Sequence, residues 1–534
     1  MEKDRGRLAF TLFVVLVLGL VYRLILTTVF NEPFSTDVWP LIKISRKLLE
    51  NTSIRIFDDR FFDGYNNRWP GAVLSTAMVS VVTGLDIFAV YRYLCLAIVI
   101  TVFSVLLYTL LRTFYRDREA CSRGLLYFLS VASLTVFSSS LLKEVYSYPF
   151  LYILIIYTLK RWDSLRREVL PILLASMALV VSHYFVTLIA IGILGSTLLV
   201  YLIARLMGFA KPSEAKHIVP QTLFVVTILS LIFVAYYSLH GYTALRIAFT
   251  VDDLVAYMFY SISIFGSYAV FSRLGKGSML RIAILSMLFL PLVLAIAFGI
   301  SVLPGIEVRS ATVPYYVAPV VLPLALFLSS SSGEVGDNRL LRYLMNGVFL
   351  FIAINVMFIV FSKPELSTAF HRVASYIVLA NTVLIVLSSS SSKGFVRRFS
   401  RAIPIIAAVL GGIVLVSIAV GVDDLVFMWS YREGEVKGFS YAINYSDEDI
   451  TLCGDVKLQY YASIDRGVDV ARVLRAIYTG YDVESGSLVV LHRDNYLKGY
   501  MAGLNIYRID IFIEKLVNMQ KIYDNSYVDM WLGR

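Results

Sequence analysis

Long apolar runs divide this chain, and the gaps between them alternate between two kinds. One kind is short and rich in Arg and Lys, as in 112–123 and 160–167, while the other carries acids, a lone His and isolated basic residues. Because Lys and Arg accumulate in the cytoplasmic loops of membrane proteins, the alternation places the basic gaps inside. It therefore places Asp37, Glu144 and His183 together at the outer membrane surface.

The composition indicates that lipid is the solvent for most of the chain. Hydrophobic residues make up 58% of the 534 residues and charged residues 16%, with a mean hydropathy of +0.74. A water-soluble fold cannot bury that much apolar surface. Apolar runs bounded by charge predict thirteen transmembrane helices in the cell membrane, with the N-terminus cytoplasmic. They lie at 8–30, 87–111, 124–141, 147–160, 169–182, 184–205, 218–239, 251–271, 282–303, 312–330, 343–362, 372–390 and 402–421.

Two segments differ from the simple spans. The first outer loop, 31–69, is long and polar, and the apolar stretch 70–84 that follows it is too short for a full span. Since counting 70–84 as a span would invert every later gap, we predict a re-entrant helix within a transmembrane domain that covers 1–421. Residues 422–534 are charged and predict a small extracytoplasmic α/β domain. Its expected elements are strands at 457–463 and 487–492 and a helix at 468–478.

The net charge of +10 does not indicate a nucleic-acid partner. From residue 422 onward the chain has 12 basic and 17 acidic residues, a net charge of −5, so the positive excess lies in the short loops of the membrane domain. The three cysteines, Cys95, Cys121 and Cys453, are scattered and form neither a disulfide framework nor a Cys/His metal spacing.

Asp37 follows shortly after the first span, in the run Ser35-Thr36-Asp37-Val38-Trp39. A carboxylate at this depth can serve as general base to an acceptor hydroxyl or as a metal ligand. Alternatively, Thr36 or Asp37 caps the amphipathic helix that runs to Leu49. The spacing alone leaves both alternatives open.

Lys143 and Glu144 lie at the outer end of two short spans. An acid and a base held near the bilayer need a partner or a task. One alternative is an ion pair, mutual or with another helix. The other is that Glu144 shares a site with Asp37 while Lys143 binds an anionic substrate group.

The remaining candidates lie in other outer loops. His183 joins two apolar segments, where it is either structural or a ligand of a phosphate or metal. The neighbouring acids Asp58 and Asp59 are either solvated loop residues or substrate ligands. Arg309 and Arg372 can grip a lipid phosphate or snorkel to the interface.

Taken together and in this order, these motifs resemble the GT-C superfamily of integral membrane glycosyltransferases, which includes oligosaccharyltransferases and protein mannosyltransferases. The second acidic site is Lys-Glu rather than Asp-x-Asp, and the tail has no Trp-Trp-Asp-Tyr-Gly run. The segment Lys521-Ile522-Tyr523-Asp524-Asn525 resembles archaeal members. The resemblance is carried by Ser35-Thr36-Asp37, Trp69-Pro70-Gly71, Lys143-Glu144 with Tyr148-Pro149, and Ser182-His183-Tyr184.

The resemblance implies an inverting transfer of a sugar from a polyprenyl-phosphate-linked donor to a protein, lipid or glycan acceptor at the outer face. Asp37 and Glu144 correspond to the catalytic acids of that family. A divalent metal, Mg²⁺ or Mn²⁺, is a candidate cofactor with Asp37, Glu144 and His183 as ligands. Lys143, Arg309 or Arg372 would neutralise the leaving lipid phosphate.

The alternative function is a secondary transporter or lipid flippase. Transporters place ionisable groups and broken helices near the midplane in related halves, whereas the candidate charges here gather at one membrane edge. A structural membrane protein with ion pairs in its outer loops is a third possibility. Convergence of Asp37, Glu144 and His183 on one site would favour the enzyme.

Overall fold

The architecture was taken from a computed structural model of the chain. It describes residues 2–208, 212–244, 250–273, 281–282, 284–286, 312–329, 339–363, 372–373, 375–389, 394–423, 426, 429–479, 482–502 and 505–533. Within these ranges the regular secondary structure of the first domain consists of helices. Its helices are α1 (Glu2–Phe30), α2 (Val38–Glu50), α3 (Gly71–Thr83), α4 (Ile87–Phe114), α5 (Arg118–Ser130), α6 (Ala132–Phe137), α7 (Lys143–Leu159), α8 (Leu165–Ser182), α9 (Tyr184–Leu206), α10 (Pro212–Tyr236), α11 (Val251–Arg273), α12 (Val313–Ser329), α13 (Arg339–Phe361), α14 (Ile377–Ser388) and α15 (Gly394–Ala419).

Seven helices in the described part of the chain are long and apolar enough to cross a membrane, namely α1, α4, α9, α10, α11, α13 and α15. Their outward faces are apolar; on α11, for example, Leu254, Phe259 and Ile262 are exposed. Such apolar faces suit contact with lipid. A helix can lie in lipid because it satisfies its own backbone hydrogen bonds. The predicted polytopic helical membrane fold is confirmed. The predicted span 282–303 lies almost entirely outside the described residues.

Helix α13 forms the centre of the membrane domain and is buried along most of its length. It packs against α9 where Gly347 meets the backbone of Thr197 and Gly192 meets the ring of Phe351. A Cβ at Gly347 would approach the Thr197 backbone nitrogen to 2.7 Å, which is closer than real contacts allow. Small residues at this crossing therefore let the two helices approach closely, as is common in membranes.

The span predicted over 124–141 is not one continuous helix. The helix breaks at Val131, which has extended dihedrals, and the chain divides into α5 and α6. The buried Arg23 of α1 accounts for the break, because its guanidinium donates to the carbonyl of Leu129 and, at 3.0 Å, to Ser138 Oγ. Irregular backbone at membrane depth is tolerated where protein groups satisfy it in this way.

The first outer loop contains the amphipathic helix α2, which packs on the short apolar helix α3. Helix α3 begins after Pro70 and ends at Gly84, whose φ of +70° is the left-handed conformation that favours glycine at a helix end. The helix predicted for 70–84 is therefore present. Its re-entrant placement in the membrane stays a prediction.

Beyond α15 the chain forms a small α/β domain, as predicted. A four-stranded sheet has the order β1-β2-β6-β5, in which β1 and β2 are parallel and the other neighbours antiparallel, and β3 pairs with β4 separately. The strands are β1 (Thr451–Gly454), β2 (Ser487–His492), β3 (Tyr500–Ala502), β4 (Asn505–Tyr507), β5 (Gln520–Asp524) and β6 (Val528–Leu532). The helices are α16 (Glu433–Tyr445), α17 (Val456–Ala462), α18 (Val470–Thr479), α19 (Arg493–Leu497) and α20 (Asp510–Leu516).

The strand predicted at 457–463 is wrong, because this segment forms helix α17. Asp455 caps that helix, and its carboxylate accepts hydrogen bonds from the backbone N–H groups of Lys457 and Leu458. The strand at 487–492 and the helix near 468–478 are confirmed.

Helix α17 and the loop after it dock on α2, and this contact joins the two domains. Lys43 of α2 lies 2.5 Å from the carboxylate of Asp465, and Lys47 donates to the carbonyl of Ile464 at 2.8 Å. Beside them, the rings of Trp39 and Tyr461 are 4.8 Å apart. The α/β domain therefore lies on the same side of the helical domain as Asp37.

Candidate functional site

Asp37 lies where the chain turns into α2. Ser35 adopts a left-handed φ of +84°, and its N–H donates to the carbonyl of Trp429 at 2.7 Å. Asp37 occupies the N-cap position, but within the described structure its carboxylate accepts no hydrogen bond from the first turn of α2. The side chain is 39% exposed and turns toward Arg372 instead. The capping alternative therefore does not account for this carboxylate.

Glu144 lies in the first turn of α7, and its side chain is only 2% exposed. The Tyr148 hydroxyl, one turn further on, donates to Glu144 Oε1 at a long 3.5 Å. The other carboxylate oxygen has no hydrogen-bond partner among the described residues. A carboxylate buried this deeply needs a cation nearby, because water cannot solvate its charge.

Arg372 supplies that cation and joins the two acids. Its Nη2 is 3.6 Å from Asp37 Oδ2, and its Nε is 3.8 Å from Glu144 Oε2. Both distances allow charge pairing but exceed those of hydrogen bonds. The guanidinium thus lies between an accessible and a buried carboxylate, with N–H groups that a ligand can still engage.

Lys143 adds a second positive charge. The residue is buried, and its Nζ lies 4.1 Å from the ring centroid of Tyr65, in cation–π contact. Among the described residues no acceptor forms a hydrogen bond to this ammonium. The predicted role of Lys143 in binding an anionic group stays a prediction. Glu144 does not pair with this neighbour but with Arg372.

His183 separates α8 from α9 and is buried. Its Nδ1 accepts a hydrogen bond from the Val186 N–H at 3.3 Å, so the ring caps α9 and carries its proton on Nε2. The ring stacks on Tyr184 with centroids 5.3 Å apart. These contacts give His183 a structural task, and its predicted role as a ligand stays a prediction.

Asp58 and Asp59 form their ion pairs within the first outer loop. Asp58 pairs with the exposed Arg60 at 2.6 Å, and Asp59 binds Arg68 and the amide of Asn67 within the same loop. These contacts fit the solvated-loop alternative. Arg309 lies outside the described residues.

The α/β domain contributes a residue that the sequence did not single out as part of the site. Tyr460, on α17, lies close enough to Asp37 for the two side chains to interact electrostatically. The charge of Asp37, followed by burial, raises the pKa of Tyr460. Tyr460, which is 36% exposed, thus forms a wall of the site beside the accessible carboxylate. The only signal in the sequence was the Tyr460-Tyr461 pair, which does not reveal its partner.

The predicted metal ligands do not form a metal site in the described structure. Among the described residues, the candidate ligand atoms that do converge belong to Glu435, His492 and Asp494. These atoms lie within 4.8 Å of one another. Between Asp37 and Glu144, the guanidinium of Arg372 takes the position that a cation would occupy. The residues present therefore do not fit a divalent ion at this site, and we derive no step through one.

The fold and this site define a polytopic membrane protein with paired acids and bases at one end of its helices, partly covered by an α/β domain. No protein-family profile matches the chain, and no curated protein matches it. Among solved structures, ArnT from Cupriavidus metallidurans bound to undecaprenyl phosphate is similar with a TM-score of 0.47 and 11% identity, over 98% of each chain. ArnT in the apo state gives 0.42 and 12%, over 99% of this chain and 98% of that one.

Proposed function

We propose that this protein is a membrane glycosyltransferase of the GT-C type that transfers a sugar from a polyprenyl-phosphate-linked donor to an acceptor at the outer face, with inversion. The observation that carries the proposal is the position of Arg372 between the carboxylates of Asp37 and Glu144. The acids come from distant parts of the chain, and one of them is accessible while the other is buried. A purely structural ion pair needs only one acid.

The proposed division of roles follows from exposure. Asp37 is the accessible carboxylate, so it serves as general base and takes the proton of the acceptor hydroxyl or amine. Glu144 is buried against Arg372 and acts as a positioning residue that holds the guanidinium in place. Tyr460 lies beside Asp37 and forms a wall of the site there.

The two positively charged side chains, Lys143 and Arg372, suit the departure of the lipid phosphate. The acceptor attacks the anomeric carbon, the bond from that carbon to the phosphate oxygen breaks, and the lipid phosphate leaves with the bonding electrons. Lys143 and Arg372 neutralise the charge that grows on the leaving phosphate. Fixed charges directed at a developing anion are usually the largest single catalytic contribution, worth about 10²–10³-fold for one donor.

In this proposal the site lies at the membrane edge, which suits a lipid-linked donor. The phosphate can reach Lys143 and Arg372 while the polyprenyl chain remains in the bilayer, so the membrane supplies part of the positioning. The α/β domain lies on the same side and leaves Asp37 39% exposed, which gives the acceptor an approach from water.

The test is turnover by the full chain reconstituted in liposomes, with a panel of radiolabelled polyprenyl-phosphate hexoses as donors. Release of free polyprenyl phosphate and label transferred to the acceptor are both measured. We expect Asp37→Asn to lower turnover by at least 10²-fold. Glu50→Gln is the matched control, because Glu50 is exposed at the other end of the same helix.

Two results would contradict the proposal. One is wild-type turnover in Asp37→Asn protein that is folded by its thermal transition. The other is wild-type protein that moves labelled lipid across the bilayer without cleaving the sugar–phosphate bond, which would favour the transporter alternative.

A further inference from the structure

The α/β domain contains a second buried cluster of charged groups, separate from the site at Asp37. Its members come from four elements: Glu435 from α16, Asp455 from the N-cap of α17, His492 from the end of β2 and Asp494 from α19. All four residues are buried. Nothing in the proposed transfer reaction uses them.

The histidine of this cluster has one ring nitrogen paired with a carboxylate and the other without a hydrogen-bond partner among the described residues. His492 Nε2 lies 2.6 Å from Asp455 Oδ2, which also accepts a hydrogen bond from the Asn495 amide at 2.9 Å. The carboxylate therefore takes the Nε2–H. Nδ1, on a ring that is 1% exposed, has no hydrogen-bond partner among the described residues. A carboxylate that orients a histidine while its other nitrogen stays free is the usual surrounding of a metal ligand.

The free nitrogen points at two further ligand atoms. Glu435 Oε1 is 3.6 Å from His492 Nδ1, and one ligand atom from each of Glu435, His492 and Asp494 lies within 4.8 Å of the other two. Ligands at about 2.0–2.2 Å from a tetrahedral ion are separated by roughly 3.4 Å. Small side-chain rotations would therefore bring all three atoms to coordination distance.

The charge of the cluster also calls for a cation. Three carboxylates, those of Glu435, Asp455 and Asp494, face a single ammonium, that of Lys457, which lies 2.9 and 3.0 Å from the two Glu435 oxygens and 3.9 Å from Asp494. Counted as three carboxylates and one ammonium, this set carries a net charge of −2 in a buried place. Lys457 can keep Glu435 Oε2 while Oε1 binds an ion. A divalent cation would then neutralise the set.

We propose that Glu435, His492 and Asp494 form a zinc-class metal site that ties α16, β2 and α19 together. One nitrogen and two carboxylate oxygens are ligands that Zn²⁺ accepts, and water would complete the tetrahedron. Asp455 is the positioning residue that orients His492. The site is independent of the proposed transfer reaction, since its ion stabilises the domain rather than contacting substrate.

The test is metal binding by the full chain, purified in detergent, freed of any affinity tag and stripped with a chelator. Zn²⁺ retained after dialysis is measured by plasma mass spectrometry, and affinity is measured by competition with a chromophoric chelator. We expect about one Zn²⁺ per chain and at least tenfold weaker binding in His492→Asn and Asp494→Asn. Asp455→Asn should weaken binding by about 10–100-fold. Glu433→Gln, an exposed acid on α16, is the matched control and should bind as the wild type does.

A further variant separates a lost site from a misfolded domain. Lys457→Gln removes the ammonium that competes for Glu435, so it should bind Zn²⁺ at least tenfold more tightly, and unfolding cannot produce such a gain. The proposal is overturned if the wild type retains no Zn²⁺, if His492→Asn and Asp494→Asn bind as tightly as Glu433→Gln, or if Lys457→Gln binds no more tightly than the wild type.

Discussion

The ammonium of Lys43 lies 2.5 Å from the carboxylate of Asp465, and this pair joins the helix that carries Asp37 to the α/β domain. Trp39, on the same helix, packs against Tyr461 and Tyr431 of that domain. The helix that presents the accessible carboxylate is therefore held by an ion pair and by aromatic contacts to that domain. It follows that substitutions in the α/β domain can alter the position of Asp37 through α2, even at residues that do not contact substrate.

Trp39 is expected to be the main contributor to this domain contact. Its ring is buried between Phe88, Tyr431 and Tyr461, at centroid distances of 5.7, 5.3 and 4.8 Å. Trp39→Ala should lower the free energy of unfolding by about 3–5 kcal/mol, because it leaves a cavity in a packed aromatic cluster. Chemical denaturation in detergent measures the change. Trp39→Phe is the control and should cost much less, since the indole N–H has no hydrogen-bond partner among the described residues.

Removing Arg372 alone should be more damaging to stability than removing it together with its buried partner. Arg372→Gln leaves the Glu144 charge buried without its cation and should cost about 3–5 kcal/mol of stability. The double variant Glu144→Gln/Arg372→Gln should recover most of that loss in thermal unfolding, yet remain inactive. Equal stability of the single and double variants would show that Glu144 does not depend on this guanidinium.

Transfer should not require added Mg²⁺ or Mn²⁺. Arg372 lies between Asp37 and Glu144, where an ion would otherwise bridge them. After chelation, adding back either ion in millimolar excess should leave the initial rate of donor cleavage unchanged. A rate that rises with Mg²⁺ or Mn²⁺ would mean that the ion displaces the guanidinium and that the predicted metal role holds.

The membrane architecture was predictable because hydropathy and loop charge act locally along the chain. Helices α1, α4 and α9 follow closely the predicted spans that begin at 8, 87 and 184. The break at Val131 was not predictable, since its cause is Arg23 of a different helix. From the sequence, Arg23 inside an apolar run indicates that the arginine has a polar partner, but it does not identify that partner. Likewise, 457–463 alternates like a strand, but the Asp455 cap and the packing on α2 make it a helix.

The candidate site was predictable only in part. The charge alternation placed Asp37, Glu144 and Arg372 in outer loops, and the structure brings these three together. Which acid would be accessible depends on how the α/β domain covers α2, and loop position does not reveal this. For the same reason Tyr460 was missed, because its neighbour Asp37 belongs to the other domain.

A carboxyl group beyond the end of α1 should make stability depend on pH near neutrality. Burial, then the nearby charges of Arg92, Glu433 and Lys437, set the pKa of Glu32, with the net effect of raising it to about 7. Between the ordinary glutamate pKa of about 4.3 and 7 the folded state holds more protons than the unfolded state, so stability falls as pH rises through this window. Glu32→Gln removes the charge that folding disfavours. Its thermal midpoint should therefore exceed that of the wild type above pH 7, and the gain should disappear below about pH 5.

Thermal unfolding in detergent across this range measures the difference, with the exposed-site variant Glu50→Gln showing no such trend. A constant offset between Glu32→Gln and wild type at every pH would indicate a packing effect rather than titration of this carboxyl group.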